Sequence, residues 1–288
     1  MNAILRYPSF LFAACWLAAA CSPLLAKNIS QGEILTPYYC KPCRSDCDLE
    51  RHEKPGNCKH CGMPLVEGSP ELTDSLTRSE NQAKKRNVAI FIHNGVEILD
   101  FAGPSEVFAS TDGFNVYTVS LSKEPIISQG FIKITPGYSL TDCPKPDIVV
   151  LPGGDTGPFI ENKLLIDWIK NAATHAEVML SVCTGAGLLA KAGLLDGKQA
   201  TTFHSYIEKL QRATPKAQIL SDTRFVDNGQ IVTTAGVSAG IDGALHVVAK
   251  LKGQAIATQT ARYMEYDKWK PEEGLTVKQP DKGAVENK

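Results

Sequence analysis

The sequence predicts an α/β protein, a mostly parallel sheet with helices on both faces, preceded by a small cysteine-rich ribbon. Three observations carry this reading. From Asn87 onward, short β-branched runs alternate with helix-length amphipathic stretches. Three of those runs, NVAIFIH, DIVVLPGG and EVMLSV, hold consecutive apolar residues instead of an alternation, as in strands buried on both faces. Five of the nine cysteines crowd between Cys40 and Cys61, which marks a separate unit.

In order, the strand candidates are NVAIFIH, FNVYTVSL, FIKITP, DIVVLPGG and EVMLSV. The helix candidates are VEILDFAGPSEVFAS, NKLLIDWIKNAA, TGAGLLAKAG, HSYIEKLQRA and SAGIDGALHVVAKL. The chain divides into a secretory signal over residues 1–26, a ribbon over 36–67, a polar linker over 68–86, the α/β domain over 87–265 and a polar tail over 266–288. With 288 residues, 43% of them hydrophobic, one full core and one small module are expected. A net charge of −1 gives no global electrostatic case for nucleic acid, which leaves only a local patch open, and none is expected as a partner.

Residues 10–21 read FLFAACWLAAAC, apolar but short for a membrane span. Two exits from the signal are open: lipid attachment at Cys21, in a stretch similar to a bacterial lipobox, or cleavage after Ala26. Either one implies export, to the periplasm or to a membrane-anchored lipoprotein.

In the ribbon, Cys40 and Cys43 form one C-x-x-C and Cys58 and Cys61 another. Each pair lets two thiolates face one ion from a tight turn, and two pairs complete a tetrahedron, so a structural zinc is expected. A module of this size has too little apolar surface to fold alone, and metal would supply its folding free energy. Disulfide formation and Cu(I) binding are the alternatives, with Cys47, His52, His60 and Met63 as additional candidate ligands. The pattern from Tyr38 to Val66 resembles the heavy-metal-binding domain appended to bacterial copper and zinc efflux proteins. Here Cys40-Lys-Pro-Cys43 departs from that domain's first knuckle toward four thiolates.

Parallel sheets place their sites at the carboxyl ends of strands, and three loops meet that rule. Gly153 and Gly154, at the end of DIVVLPGG, let the backbone approach a ligand and offer N–H groups. Cys183 leaves a buried strand for a small-residue helix, whose dipole is expected to favour the thiolate. Asp100, in NGVEILD, is placed to exchange a proton with it. Cys143 reads as a buried inert thiol, and His93 and Glu97 as structural or solvent-facing.

Taken in order, ILDFAGPSEVF, VVLPGG, SVCTGAGLLAKAGLLDGKQATTFH and TTAGVSAGIDGALHVVA resemble the ThiJ/PfpI superfamily, and within it the isonitrile hydratase branch. The resemblance implies a flavodoxin-like fold of the class I glutamine amidotransferase type. It implies Cys183 as nucleophile, Thr184 as a second catalytic residue and Asp100 as the acidic partner. Thr184 stands where protease-like members carry histidine, which argues against a Cys-His pair. His204 falls where some members place a histidine near the site. Dimerisation is common in the superfamily, so a homodimer is implied. The expected activity is cofactor-independent addition of Cys183 to a small electrophile, with Gly154 and Thr184 N–H groups stabilising charge. A non-catalytic metal-handling or ligand-sensing protein is the alternative. Relatives fused to AraC-type DNA-binding regions exist, but the polar tail offers no helix-turn-helix.

Overall fold

The computed structural model describes residues 37–40, 50–60, 62–68 and 85–278. The signal segment with Cys21, the ribbon cysteines Cys43, Cys47 and Cys61, most of the linker and the last ten residues lie outside the described residues.

In the ribbon, β1 (Tyr38–Cys40) pairs antiparallel with β2 (Leu65–Glu67), with Cys40 opposite Leu65. Cys40, Cys58 and Met63 are buried in one small apolar cluster. A cluster of three such side chains is far below what a hydrophobic core needs to fold unaided.

The main sheet begins with β3 (Arg86–Phe91), followed by α1 (Ile98–Ala109) and β4 (Phe114–Ser120). A hairpin of β5 (Ile126–Ser128) and β6 (Ile132–Ile134) stands apart as its own two-stranded sheet. The strand expected at FIKITP is therefore in this hairpin and not in the main sheet. Next come β7 (Tyr138–Ser139), β8 (Ile148–Leu151), a single turn α2 (Gly157–Ile160), α3 (Lys163–Ala173) and β9 (Val178–Ser181). After β9 follow α4 (Ala186–Lys191), β10 (Gln199–Ala200), α5 (Ile207–Ala213) and β11 (Gln218–Ile219), the two short strands pairing with each other. The chain continues through β12 (Phe225–Asp227), β13 (Ile231–Thr234), α6 (Ala239–Lys252), α7 (Gln254–Tyr263) and β14 (Leu275–Thr276).

Eight strands form the main sheet in the order β14-β12-β13-β9-β8-β3-β4-β7. The six from β13 to β7 are mutually parallel, and β12 runs against β13. The pleat explains the consecutive apolar residues of β3, β8 and β9. Val88, Ile90 and Ile92 enter one core with Ile148, Val150 and Leu180, beneath Phe108 of α1 and Leu245 of α6. Ala89 and Phe91 enter the other with Val149, Leu151 and Met179, beneath Leu165 of α3 and Leu188 of α4.

The expected polar tail is corrected in part. Leu275–Thr276 pairs in parallel with β12, and a Cβ on Gly274 would lie 1.9 Å from the Phe225 ring, so this segment closes the sheet edge. Among the described residues, no helix is long and apolar enough to cross a membrane.

Candidate active site

At the carboxyl end of β9 the chain makes a sharp elbow. Cys183 takes φ +57°, an uncommon value for a residue with a Cβ, and opens a 3-10 turn through Gly185 that runs into α4. Gly185 makes the elbow sterically feasible: a Cβ there would lie 2.0 Å from the Leu151 carbonyl oxygen. The backbone of Cys183 is fixed on both sides. Its N–H donates to the Ala235 carbonyl at 3.0 Å, and its carbonyl accepts from the buried Thr202 hydroxyl at 2.6 Å. The residue is 6% exposed.

Asp100, in the first turn of α1, is fully buried and interacts with the Cys183 thiol. Two backbone N–H groups hold its carboxylate: Gly153 on Oδ2 at 2.9 Å and Val237 on Oδ1 at 3.0 Å. Gly153 is required by close approach, since a Cβ there would lie 2.7 Å from the Thr184 nitrogen and 2.8 Å from Asp100 Oδ2. Val237, a β-branched residue at φ +55°, is strained by about 1–3 kcal/mol, and this strain aims its N–H at the carboxylate.

The electrostatics couple the two groups. Burial pushes the Asp100 carboxyl up to about 6, against the lowering effect of the Gly153, Val237 and Cys183 hydrogen bonds, with Glu97 adding repulsion. Burial, then the Asp100 charge, pushes the Cys183 thiol up to about 12, although the Thr184 and Gly154 N–H groups face the sulfur and oppose the shift. The expectation that a helix dipole favours the thiolate is corrected. Cys183 precedes the helix in a 3-10 turn, and burial beside a carboxylate outweighs whatever the short α4 supplies. The resting pair is a thiol beside a carboxylate, a proton donor next to a base.

The other expected residues divide. The Gly154 and Thr184 N–H groups lie at the sulfur. The Thr184 hydroxyl donates to the Gly154 carbonyl at 2.9 Å and ties those two loops together. The Gly153 N–H is not free for a ligand, because Asp100 occupies it. His204 is exposed, its ring 4.2 Å from that of Phe203, and it lines a cavity of about 470 Å³ together with Thr202, Phe203, Arg224, Gly236 and Glu273. That cavity adjoins the site through Thr202 and Ala235, both bonded to the Cys183 backbone. His93 is buried against Phe159, and desolvation lowers its proton affinity. Glu97 accepts from Gln129 and reaches Asp100 only through its charge.

A fourth loop, residues 235–238 between β13 and α6, lies in the TTAGVSAGIDGALHVVA stretch, to which the sequence assigned no site residue. It holds Cys183 through the Ala235 carbonyl and Asp100 through the Val237 N–H. Its contribution is entirely backbone, so its side chains give no chemical signature. The signal that could have found it is its place at the carboxyl end of a parallel strand.

Comparison with known proteins bears on the fold and the family. An isonitrile hydratase from Pseudomonas putida is 37% identical over 172 residues, spanning 59% of this chain and 74% of its own length. The HTH-type transcriptional regulator CdhR of Pseudomonas aeruginosa is 22% identical over 182 residues, and the chain spans 54% of that regulator. Among solved structures, a ThiJ/PfpI family protein from Pseudomonas syringae superposes with a TM-score of 0.60 at 29% identity, covering 65% of this chain and 77% of that one. The DJ-1/PfpI family model matches residues 86–250, more than half of the sequence, and the chain belongs to the DJ-1/PfpI family.

Proposed function

We propose that this protein is a cofactor-independent cysteine enzyme that hydrates a small neutral electrophile, an isonitrile in the first instance, to an N-substituted formamide. The observation that carries the reading is the buried Cys183–Asp100 pair, with two backbone N–H groups at the sulfur. Similarity to an isonitrile hydratase supports the choice of electrophile.

The chemistry follows from the resting proton. Asp100 accepts the Cys183 proton as the sulfur attacks the terminal carbon of the isonitrile, forming the C–S bond, and then delivers that proton to the same carbon to give a thioimidate. The Thr184 and Gly154 N–H groups stabilise the sulfur while it carries charge. Water adds to the thioimidate carbon, one of its protons passing to nitrogen. The C–S bond then breaks, Asp100 returns the second water proton to the thiolate, and the formamide leaves. A carboxyl raised toward neutrality is a stronger base than an ordinary aspartate, which suits it to taking a proton from a thiol.

The test offers a small isonitrile, and methylglyoxal as a competing electrophile, to the wild type, Cys183→Ala and Asp100→Asn. Formamide production lost in both variants is the expected result. Turnover equal to wild type in both would overturn the mechanism.

The ribbon and the leader belong to the same proposal. Cys40, Cys43, Cys58 and Cys61 hold one structural zinc; burial of Cys40 and Cys58 in a single cluster fits a shared ion. The signal exports the chain, with Cys21 as the lipid attachment point. Metal analysis of the purified full chain should give one zinc per protein, and the intact mass of the membrane fraction should carry a lipid. Absence of metal would remove the first proposal, and a mass matching cleavage after Ala26 the second.

A further inference from the structure

The loop of residues 235–238 touches both members of the reactive pair, and one residue grips it at both ends, by its backbone carbonyl at one and its side chain at the other. The Arg224 carbonyl accepts from the Ala235 N–H at 3.0 Å. The same residue's guanidinium donates from Nη2 to Ser238 Oγ at 2.9 Å and from Nε to the buried Asp242 carboxylate at 2.5 Å. Tyr266 donates to the other Asp242 oxygen at 3.1 Å, so the guanidinium is itself held. Between these two attachments lie Gly236, against the Phe203 ring, and Val237 at φ +55°. Strained backbone persists only where its surroundings over-determine it, and here the surroundings are the bracket formed by Arg224.

We infer that Arg224 is a positioning residue, whose bracket around residues 235–238 keeps the Val237 N–H on Asp100 and so sets the pH at which Asp100 becomes a base. The inference rests on the reading of Cys183 and Asp100 as a reactive pair. The ionisable groups facing Asp100 are the Cys183 thiol and, more remotely, Glu97; the Gly153 and Val237 N–H groups complete its contacts. Arg224 faces Asp242 and Tyr266. Its charge acts on Asp242, and its effect on Asp100 passes through the backbone. Slackening the bracket withdraws a donor from an ionised carboxylate, which raises the pH at which it loses its proton.

The test reads the reaction of Cys183 with iodoacetamide, followed on its own tryptic peptide, in the full chain across about pH 4 to 9. The wild type should show an acid limb near the Asp100 value of about 6, absent in Asp100→Asn. In Ser238→Ala, which removes only one contact, the limb should move upward by about half to one pH unit, the worth of one hydrogen bond. Arg224→Gln should move it at least as far. The same Ser238→Ala change made on Asp100→Asn should leave the profile unaltered. Should Arg224→Gln fail to fold with Asp242 unpaired, Ser238→Ala decides alone. A limb that depends on Asp100 but stays in place in Ser238→Ala, even with a lowered melting temperature, overturns the positioning role and leaves the pair intact. A limb that Asp100→Asn does not remove overturns the pair itself, and the positioning role with it.

Discussion

Replacing Asp100 by asparagine should stabilise the protein at alkaline pH and destabilise it in acid. In the folded chain the carboxyl titrates near 6 instead of 3.8, chiefly because it is fully buried. At about 1.4 kcal/mol per tenfold change in proton affinity, holding it ionised above that pH costs about 3 kcal/mol. The sign follows from proton counts. Between the two values the folded state binds more protons than the unfolded one. Stability is therefore fully present below pH 3.8 and declines as pH rises through about 6. Asparagine never ionises, but its amide turns a donor toward the Gly153 N–H, a mismatch of about 1–2 kcal/mol at every pH. The variant should thus be about 1–2 kcal/mol more stable than wild type near pH 8 and less stable by a similar amount near pH 4. Urea titrations of both proteins across that range measure the difference, in which groups common to the two cancel. Parallel stability profiles would refute the claim that burial raises the Asp100 carboxyl.

Other expectations rest on different contacts. Gly185→Ala forces a Cβ to within 2.0 Å of the Leu151 oxygen and should lower stability by about 3 kcal/mol or more; an unchanged denaturation midpoint would contradict the packing at the elbow. Thr202→Val deletes the hydroxyl that donates to the Cys183 carbonyl, and should cost about 1–2 kcal/mol in denaturant melts and slow modification of Cys183. Burial disfavours the ionised Asp227 carboxylate, but hydrogen bonds from His246 and Lys250 at 2.8 Å outweigh it and hold the carboxyl below its ordinary range. That contribution is present above the unfolded value and lost as pH falls through the folded one, so the gap between wild type and Asp227→Asn should narrow as the solution is acidified below about pH 4. A gap that widens instead would assign the stabilisation to another group.

Strands β3, β8 and β9 were legible because each is apolar on both faces, which only a sheet covered twice requires. The strand β13 was not: four residues, Ile231–Thr234, end in two threonines whose burial is a tertiary fact. Helix α7 reads QAIATQTARY, with too few large apolar side chains to announce a period, and only Ala257, Thr260 and Ala261 are buried. In the site, Cys183 and Gly154 were readable as residue types at strand ends, and Asp100 as a carboxylate one element after the first strand. The state of the thiol was not, since desolvation depends on what packs over it. His204 came from the family resemblance alone, and only the structure shows that it is exposed at the cavity beside the site.

The loop of residues 235–238 ties the site to the order in which the chain is made. The Val237 N–H that holds Asp100 lies 137 positions further along the sequence, and the Cys183 backbone relies on Ala235. A ribosome-bound chain that has not yet released this loop carries both the thiol and the carboxyl without the groups that pair them. Reactivity of the kind proposed for Cys183 therefore arrives late, once strand β13 has joined β9 and the last third of the domain is in place. A fragment ending before residue 235 would keep the cysteine and have no site.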